Sequence, residues 1–380
     1  MPGVTKRKFN AESMRICKRL KRPLYLVVGT LPQEYTAKDL IRAFIKFYPL
    51  EWQSLIERCN LSRKKDMFLR KVGKKTRYNQ KTAADFFFKI PTVKHILSDG
   101  YRQKYKEEYS DERRHLNCSN LIKKALAAKS KHEIKVAEYK KRMQTIDPYY
   151  IDALIATYHK RGNTINDKME IVRECEKFDS EKIYDFFYRL NDSERNDQIR
   201  NMAFMHLQKS GHYVRLRKKF KGKRKSYMVE ETDFFVTPLD LYRRLGEDTI
   251  QSKKVFDVFI SHSYKDEMIV REIIKIMNKY KFHCYCDWVS DNDFLKRSLA
   301  SEYTAEVLKK RIEQSRKILF VQTENSTEGA EITSSWIQME LKYSSEIGKK
   351  IYLLNLSSTQ SEFPFQQISI DFEKKTLMWE

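Results

Sequence analysis

The chain has 380 residues, with 75 Lys and Arg against 51 Asp and Glu, a formal charge of +24, and 41% hydrophobic residues. That length suits two or three domains, each with its own core, and the apolar and aromatic content excludes a disordered chain. No apolar run approaches membrane-spanning length and no secretory signal follows the basic start, so the cytoplasm is the expected compartment, with no membrane partner.

The charge is unevenly placed. From residue 251 onward there are 19 basic and 19 acidic residues, so the first 250 hold 56 against 32 and carry the whole excess. A basic half is the part expected to meet a polyanion such as nucleic acid, although a lysine-rich helical surface has the same composition. The six cysteines show no C-x-x-C and no metal spacing, which fits reduced thiols and no expected metal site.

Residues 1–22 form a basic leader, followed by the apolar run Leu24–Val28, which is strand-sized. "YTAKDLIRAFIKFY" has helical spacing, with Thr36 as N-cap and Pro49 as its stop. One or two helices follow to a break near Gly73. Further helices are expected around 81–97, 103–145, 148–161, 165–176, 180–190 and 193–209. The basic stretch "HYVRLRKKFKGKRKSYM" alternates aromatic and cationic residues about Gly222, which predicts a β-hairpin. Such a ribbon suits a phosphate backbone, and a lysine-protected edge hairpin looks the same. The expected organisation is therefore a mainly helical recognition or assembly region over 1–250, with one or two subdomains, and a second domain over 251–380.

From residue 251 strands and helices alternate. "KVFDVFISHS", "FHCYCDW", "KILFVQT", "KKIYLLNL" and "FQQISIDF" read as strands, and the amphipathic stretches between them as helices. Asp266 is placed to cap the first of these. This grammar predicts a parallel sheet covered on both faces. The helix "SSWIQMELKYSSEIG" has an odd feature. Trp336, Ile337, Met339, Leu341, Tyr343 and Ile347 form an apolar arc, and Glu340 falls in its middle.

The blocks "DVFISHSYKDE", "YCDW", "IEQSRKILFVQT" and "SSWIQMEL", in this order, resemble a bacterial Toll/interleukin-1 receptor (TIR) domain over residues 253–373. Residues 1–250 resemble no family. The resemblance implies a flavodoxin-like α/β fold, with five parallel strands in the order 2-1-3-4-5. It also implies an activity, because many such domains cleave NAD at the nicotinamide–ribose bond, releasing ADP-ribose or cyclising it. Their catalytic carboxylate stands in a W-x-x-x-E pattern, which here is Trp336 and Glu340. Other TIR domains are non-enzymatic adaptors, so fold alone does not decide function.

With that strand order, ligand is expected in the crevice beyond the carboxyl ends of strands 1 and 3. Ser261, His262 and Ser263 line one side, and Thr323, Glu324 and Asn325 the other. Trp336, or Trp288 and Phe294 from the loop after strand 2, would supply an aromatic wall. NAD is thus the expected substrate and no cofactor is expected. The loop "WVSDNDFLKR" carries two acids, Asp291 and Asp293, but lacks the spacing of a calcium loop. No Gly-rich phosphate loop, H-E-x-x-H or Ser/His/Asp order appears. The expected protein is an NAD+ nucleosidase of anti-phage defence, with possible cyclase activity. Its expected partners are copies of itself and a nucleic-acid, phage-protein or partner-protein trigger at the basic region. The alternative is a TIR scaffold without catalysis.

Overall fold

The structure is a computed structural model and describes residues 4–79, 82–215, 225–232, 234, 236–247, 249–295, 302–328 and 331–379. The chain forms two compact units, residues 1–137 with 211–213, and residues 138–210 with 214–380. The basic half of the sequence thus contributes to both.

The first unit is helical. Its opening helix, Val4–Val28, includes the run Leu24–Val28 that looks strand-sized in the sequence. The helix wins because Ile16, Leu20, Leu24 and Val27 recur every three or four residues and bury one stripe against Leu40, Phe44, Phe87 and Ile90. Pro23 is accommodated inside it. Thr36 caps the helix Ala37–Phe47 through a capping box with Asp39, as expected. Pro49 does not merely stop that helix; it opens the next, Pro49–Lys71, as its first residue. The expected helix over 81–97 is two, Ala83–Phe88 and Pro91–Ile96, split where Pro91 cannot continue the first.

In the second unit four helices, Ile151–Tyr158, Ile165–Cys175, Glu181–Ser193 and Asp197–Lys209, pack around Leu154, Val172, Phe187 and Leu207. The turn of the expected hairpin lies outside the described residues. Its described C-terminal end, Ser226–Met228, is a single 3-10 turn rather than a strand.

The sheet follows the expected order. Its strands are β1 (Phe256–Ser261), β2 (Cys284–Tyr285), β3 (Ser315–Gln322), β4 (Lys350–Asn355) and β5 (Gln366–Gln367), all parallel and ordered 2-1-3-4-5. Alternation along the strands makes two apolar faces. Val258, Ile260, Leu319 and Val321 face the helix Glu267–Lys279, which buries Val270, Ile273 and Met277. Phe259, Ile318, Phe320 and Leu353 face the helices Glu302–Glu313 and Ser335–Glu346. This is the flavodoxin-like α/β fold of a TIR domain.

The helical part of this unit closes the edge of the sheet. Gln144 uses its side-chain amide as a strand would, donating to the Cys284 carbonyl (2.8 Å) and accepting from the Cys284 N–H (3.2 Å). Behind it lies a buried ionic cluster. Glu174 meets Lys177 (2.7 Å), Lys254 (2.8 Å) and the Tyr150 hydroxyl (3.0 Å). Arg311 grips Asp291 with two bonds, at 2.8 and 3.0 Å, and also bonds to Gln251. Among the described residues, no helix is long and apolar enough to cross a membrane.

Candidate active site

Ser261 is the last residue of β1 and points to the same face as Phe259, toward the helix Ser335–Glu346. That helix buries Ile337, Glu340, Leu341 and Ser344, a stripe at helical spacing. Glu340 thus enters the interior because its neighbours in the stripe are the residues that pack the helix on the sheet. The Ser261 hydroxyl donates to the Glu340 carboxylate at 2.5 Å.

Glu340 is 8% exposed, and among the described residues it forms no ion pair. Burial pushes its carboxyl up to about 8 from an ordinary 4.5; the Ser261 hydrogen bond pulls down and the Asp287 carboxylate adds to the rise. A carboxylic acid held without a cation, at the carboxyl end of the strand where the order reverses, is a candidate catalytic group.

The second pair of expected residues also meets. The Trp288 indole N–H donates to His262 Nε2 at 2.7 Å, and His262 Nδ1–H donates to the Ile260 carbonyl at 3.0 Å. Both ring nitrogens are thereby occupied, and His262 is held as the neutral Nδ1–H tautomer, which suits an orienting residue rather than a base. Arg271 lies over the Trp288 ring, 4.5 Å from its centre, and donates to the Lys141 carbonyl at 2.9 Å.

Other expected residues stand apart. Ser263 accepts from the Lys265 N–H and caps a short turn. Phe294 is buried with Val236, Leu241, Leu245 and Val307, in a cluster separate from the one that holds Ile337 and Leu341. Trp336 is 43% exposed, on the rim of the buried stripe, and Ile347 is exposed too, so the apolar arc is narrower than its sequence pattern. Asp266 occupies the N-cap position but makes no capping bond. Its carboxylate instead accepts from Thr323 Oγ1 and Asn325 Nδ2, both at 2.6 Å, tying the loop after β1 to the loop after β3. Glu324 accepts from the Ser358 N–H at 2.9 Å. The acids of the loop after β2 are taken by cations, Asp291 by Arg311 and Asp293 by Arg173 (2.9 Å).

Sequence reading missed Cys286, whose thiol lies 3.8 Å from His262 Nε2. The available signal was topological: β1 and β2 are parallel neighbours, so the residues just past their ends must come together.

No family model matches the chain. A putative cyclic ADP-D-ribose synthase TIR2 of Cytobacillus dafuensis is 47% identical over all 380 residues, covering 100% of this chain and 98% of that protein. A probable 3′ cyclic ADP-D-ribose synthase ThsB′ of Bacillus cereus (strain MSX-D12) is 28% identical over 140 residues, 37% of this chain and 67% of that protein. Full-length similarity at that level, together with the 2-1-3-4-5 sheet and the W-x-x-x-E helix, means that the chain belongs to the family of bacterial TIR-domain proteins.

Proposed function

We propose that this protein cleaves NAD at the nicotinamide–ribose bond and closes the ADP-ribose part into a cyclic product, with Glu340 as the catalytic carboxylate. The observation that carries the reading is Glu340 itself, buried beside Ser261 and, among the described residues, without a cation. Both relatives are named as cyclic ADP-D-ribose synthases, which supports the substrate.

The chemistry asks for little acid catalysis. Nicotinamide is cationic while bound to ribose and departs neutral, taking the bonding electron pair. The developing oxocarbenium at C1′ then needs a negative charge and an ordered sugar. Glu340 in its ionised form supplies the charge, and the Ser261 hydroxyl fixes the orientation of the carboxylate. The positive charge of NAD favours that ionised form, so substrate binding lowers the Glu340 pKa from its raised value. Either water or a nucleophile within the same ADP-ribose can capture C1′, each losing a proton. A site buried from water favours the internal capture.

Control belongs to the rest of the chain, because an always-active NAD-cleaving enzyme would harm its host. The charge excess of the first 250 residues supports a polyanionic trigger, nucleic acid before a phage or partner protein, with self-assembly through the TIR domain. A second reading, a non-catalytic TIR scaffold, draws on the burial of Glu340 in this state.

One assay separates the two readings. Purified full-length protein is incubated with NAD, alone, with nucleic acids and with forced clustering, and the products are resolved by chromatography. Loss of NAD with release of nicotinamide and a cyclic product, abolished in Glu340→Gln, is the expected result. NAD left equally intact by wild type and Glu340→Gln under every condition would leave the scaffold.

A further inference from the structure

We infer that His262, Cys286 and Asp287 form a zinc-binding site beside the Ser261–Glu340 pair, and that zinc bound there inhibits the enzyme. The inhibition rests on the function proposed above; the binding does not.

The site follows from topology. β1 and β2 are adjacent and parallel, so His262, one residue past β1, and Cys286 and Asp287, the two residues past β2, emerge side by side. Cys286 Sγ lies 3.8 Å from His262 Nε2 and 3.9 Å from Asp287 Oδ1, and the three donor atoms all fall within 4.8 Å of one another. A tetrahedral zinc, with bonds of about 2.0–2.3 Å, sets its ligand atoms roughly 3.3–3.8 Å apart. The sulfur and nitrogen are therefore nearly in place. Asp287, half-buried, closes the remainder by a side-chain rotation.

The histidine is prepared for a metal. Its Nδ1–H is fixed on the Ile260 carbonyl, which leaves Nε2 as the lone-pair nitrogen; that atom accepts from the Trp288 indole at 2.7 Å and lies 3.8 Å from the Cys286 sulfur. A ring N–H held by a backbone carbonyl is the usual support of a metal-bound imidazole. The donor set of one nitrogen, one sulfur and one carboxylate oxygen suits zinc rather than magnesium or calcium, which take oxygen. Three protein ligands leave a fourth position for water or another ligand.

Binding is a displacement. Zinc takes the place of the Trp288 indole N–H on Nε2 and of the proton on the Cys286 thiol, which leaves as H+. Trp288 then loses its anchor, and the carboxylate of Asp287 is drawn to the metal. The expected consequence is a site whose rim is rearranged and which no longer turns over NAD.

Cobalt(II) serves as the optical probe, titrated into the reduced, full-length protein. The expected result is a thiolate-to-cobalt charge-transfer band with tetrahedral d–d absorption, saturating at one metal per chain and erased by added zinc. Asp287→Asn is expected to weaken zinc about tenfold or more, and Cys286→Ser to abolish the charge-transfer band. In NAD assays, zinc inhibits the wild type, a chelator restores it, and Cys286→Ser turns over NAD at the zinc-free rate whether or not zinc is present. No band in the wild type, or an undiminished band in Cys286→Ser, overturns the site. A bound zinc that leaves NAD turnover untouched overturns the inhibition. If no form of the protein cleaves NAD, the proposed function fails while the cobalt titration still decides the binding. Should Cys286→Ser fail to fold, the zinc affinity of Asp287→Asn, read by competition with cobalt, decides the binding: an affinity equal to that of the wild type overturns the site.

Discussion

Glu174 and Glu340 are both buried in the same unit, at 4% and 8% exposure, yet their surroundings are opposite. Two lysines and a tyrosine hydroxyl converge on Glu174, and its carboxyl is held far below the usual carboxylate range despite burial. Glu340 receives one serine hydroxyl, and its carboxyl rises to about 8. The first arrangement completes a charge cluster that fastens helices to a sheet. The second leaves a carboxyl without a counter-charge among the described residues, a condition that structural packing does not need and that a cationic substrate would relieve.

The largest effect is expected where a paired charge is orphaned. Glu174→Gln leaves Lys177 and Lys254 facing each other in the interior, and chemical denaturation should show a loss of about 3–5 kcal/mol. Glu340→Gln should do the reverse. It should cost about 10²–10³-fold in the rate of NAD cleavage, as loss of one electrostatic group at a transition state does, without loss of fold.

The same substitution probes stability through pH. Because the folded carboxyl of Glu340 titrates above its ordinary 4.5, the wild-type stability from this group is full below about 4.5 and is lost as pH rises through about 8. Glu340→Gln has no such proton to lose. Its advantage in stability over wild type should therefore grow from pH 4.5 to pH 8, to about 4–5 kcal/mol. An advantage that shrinks over that range would mean the Glu340 carboxyl is not raised.

The smallest effect belongs to the partly exposed pair Arg173–Asp293. A double-mutant cycle with Arg173→Ala and Asp293→Ala should give a coupling of roughly 0.2–1 kcal/mol. A larger value would extend the strong buried cluster out to the loop after β2.

The contrast between the two carboxylates was half legible in the sequence. Glu340 stands out because helical periodicity is local: a charge inside an apolar arc predicts its own burial, and strand–helix alternation predicts the strand end it meets. Glu174 has one local partner, Lys177 three residues on, but nothing local announces the rest of its cluster. Its partner Lys254 lies 80 positions away, and Asp291 and Arg311 are 20 apart on different elements, so only tertiary packing joins them. The run Leu24–Val28 failed for a related reason. Read alone it has no helical phase, and the phase appears only with Ile16 and Leu20 of the basic leader. Trp336 marks the limit of motif reading: its spacing from Glu340 is met, but its ring sits at the rim.

The central claim is that Glu340 acts as a carboxylate made available by burial beside Ser261, with no cation among the described residues. The pH dependence of kcat/KM for NAD, measured on activated full-length protein, addresses it directly, because that ratio reports the free enzyme. The account predicts a rise with increasing pH through a single inflection near 8 in the wild type, and its disappearance in Glu340→Gln along with most of the activity. Wild-type turnover in Glu340→Gln, with the same pH profile, would contradict it.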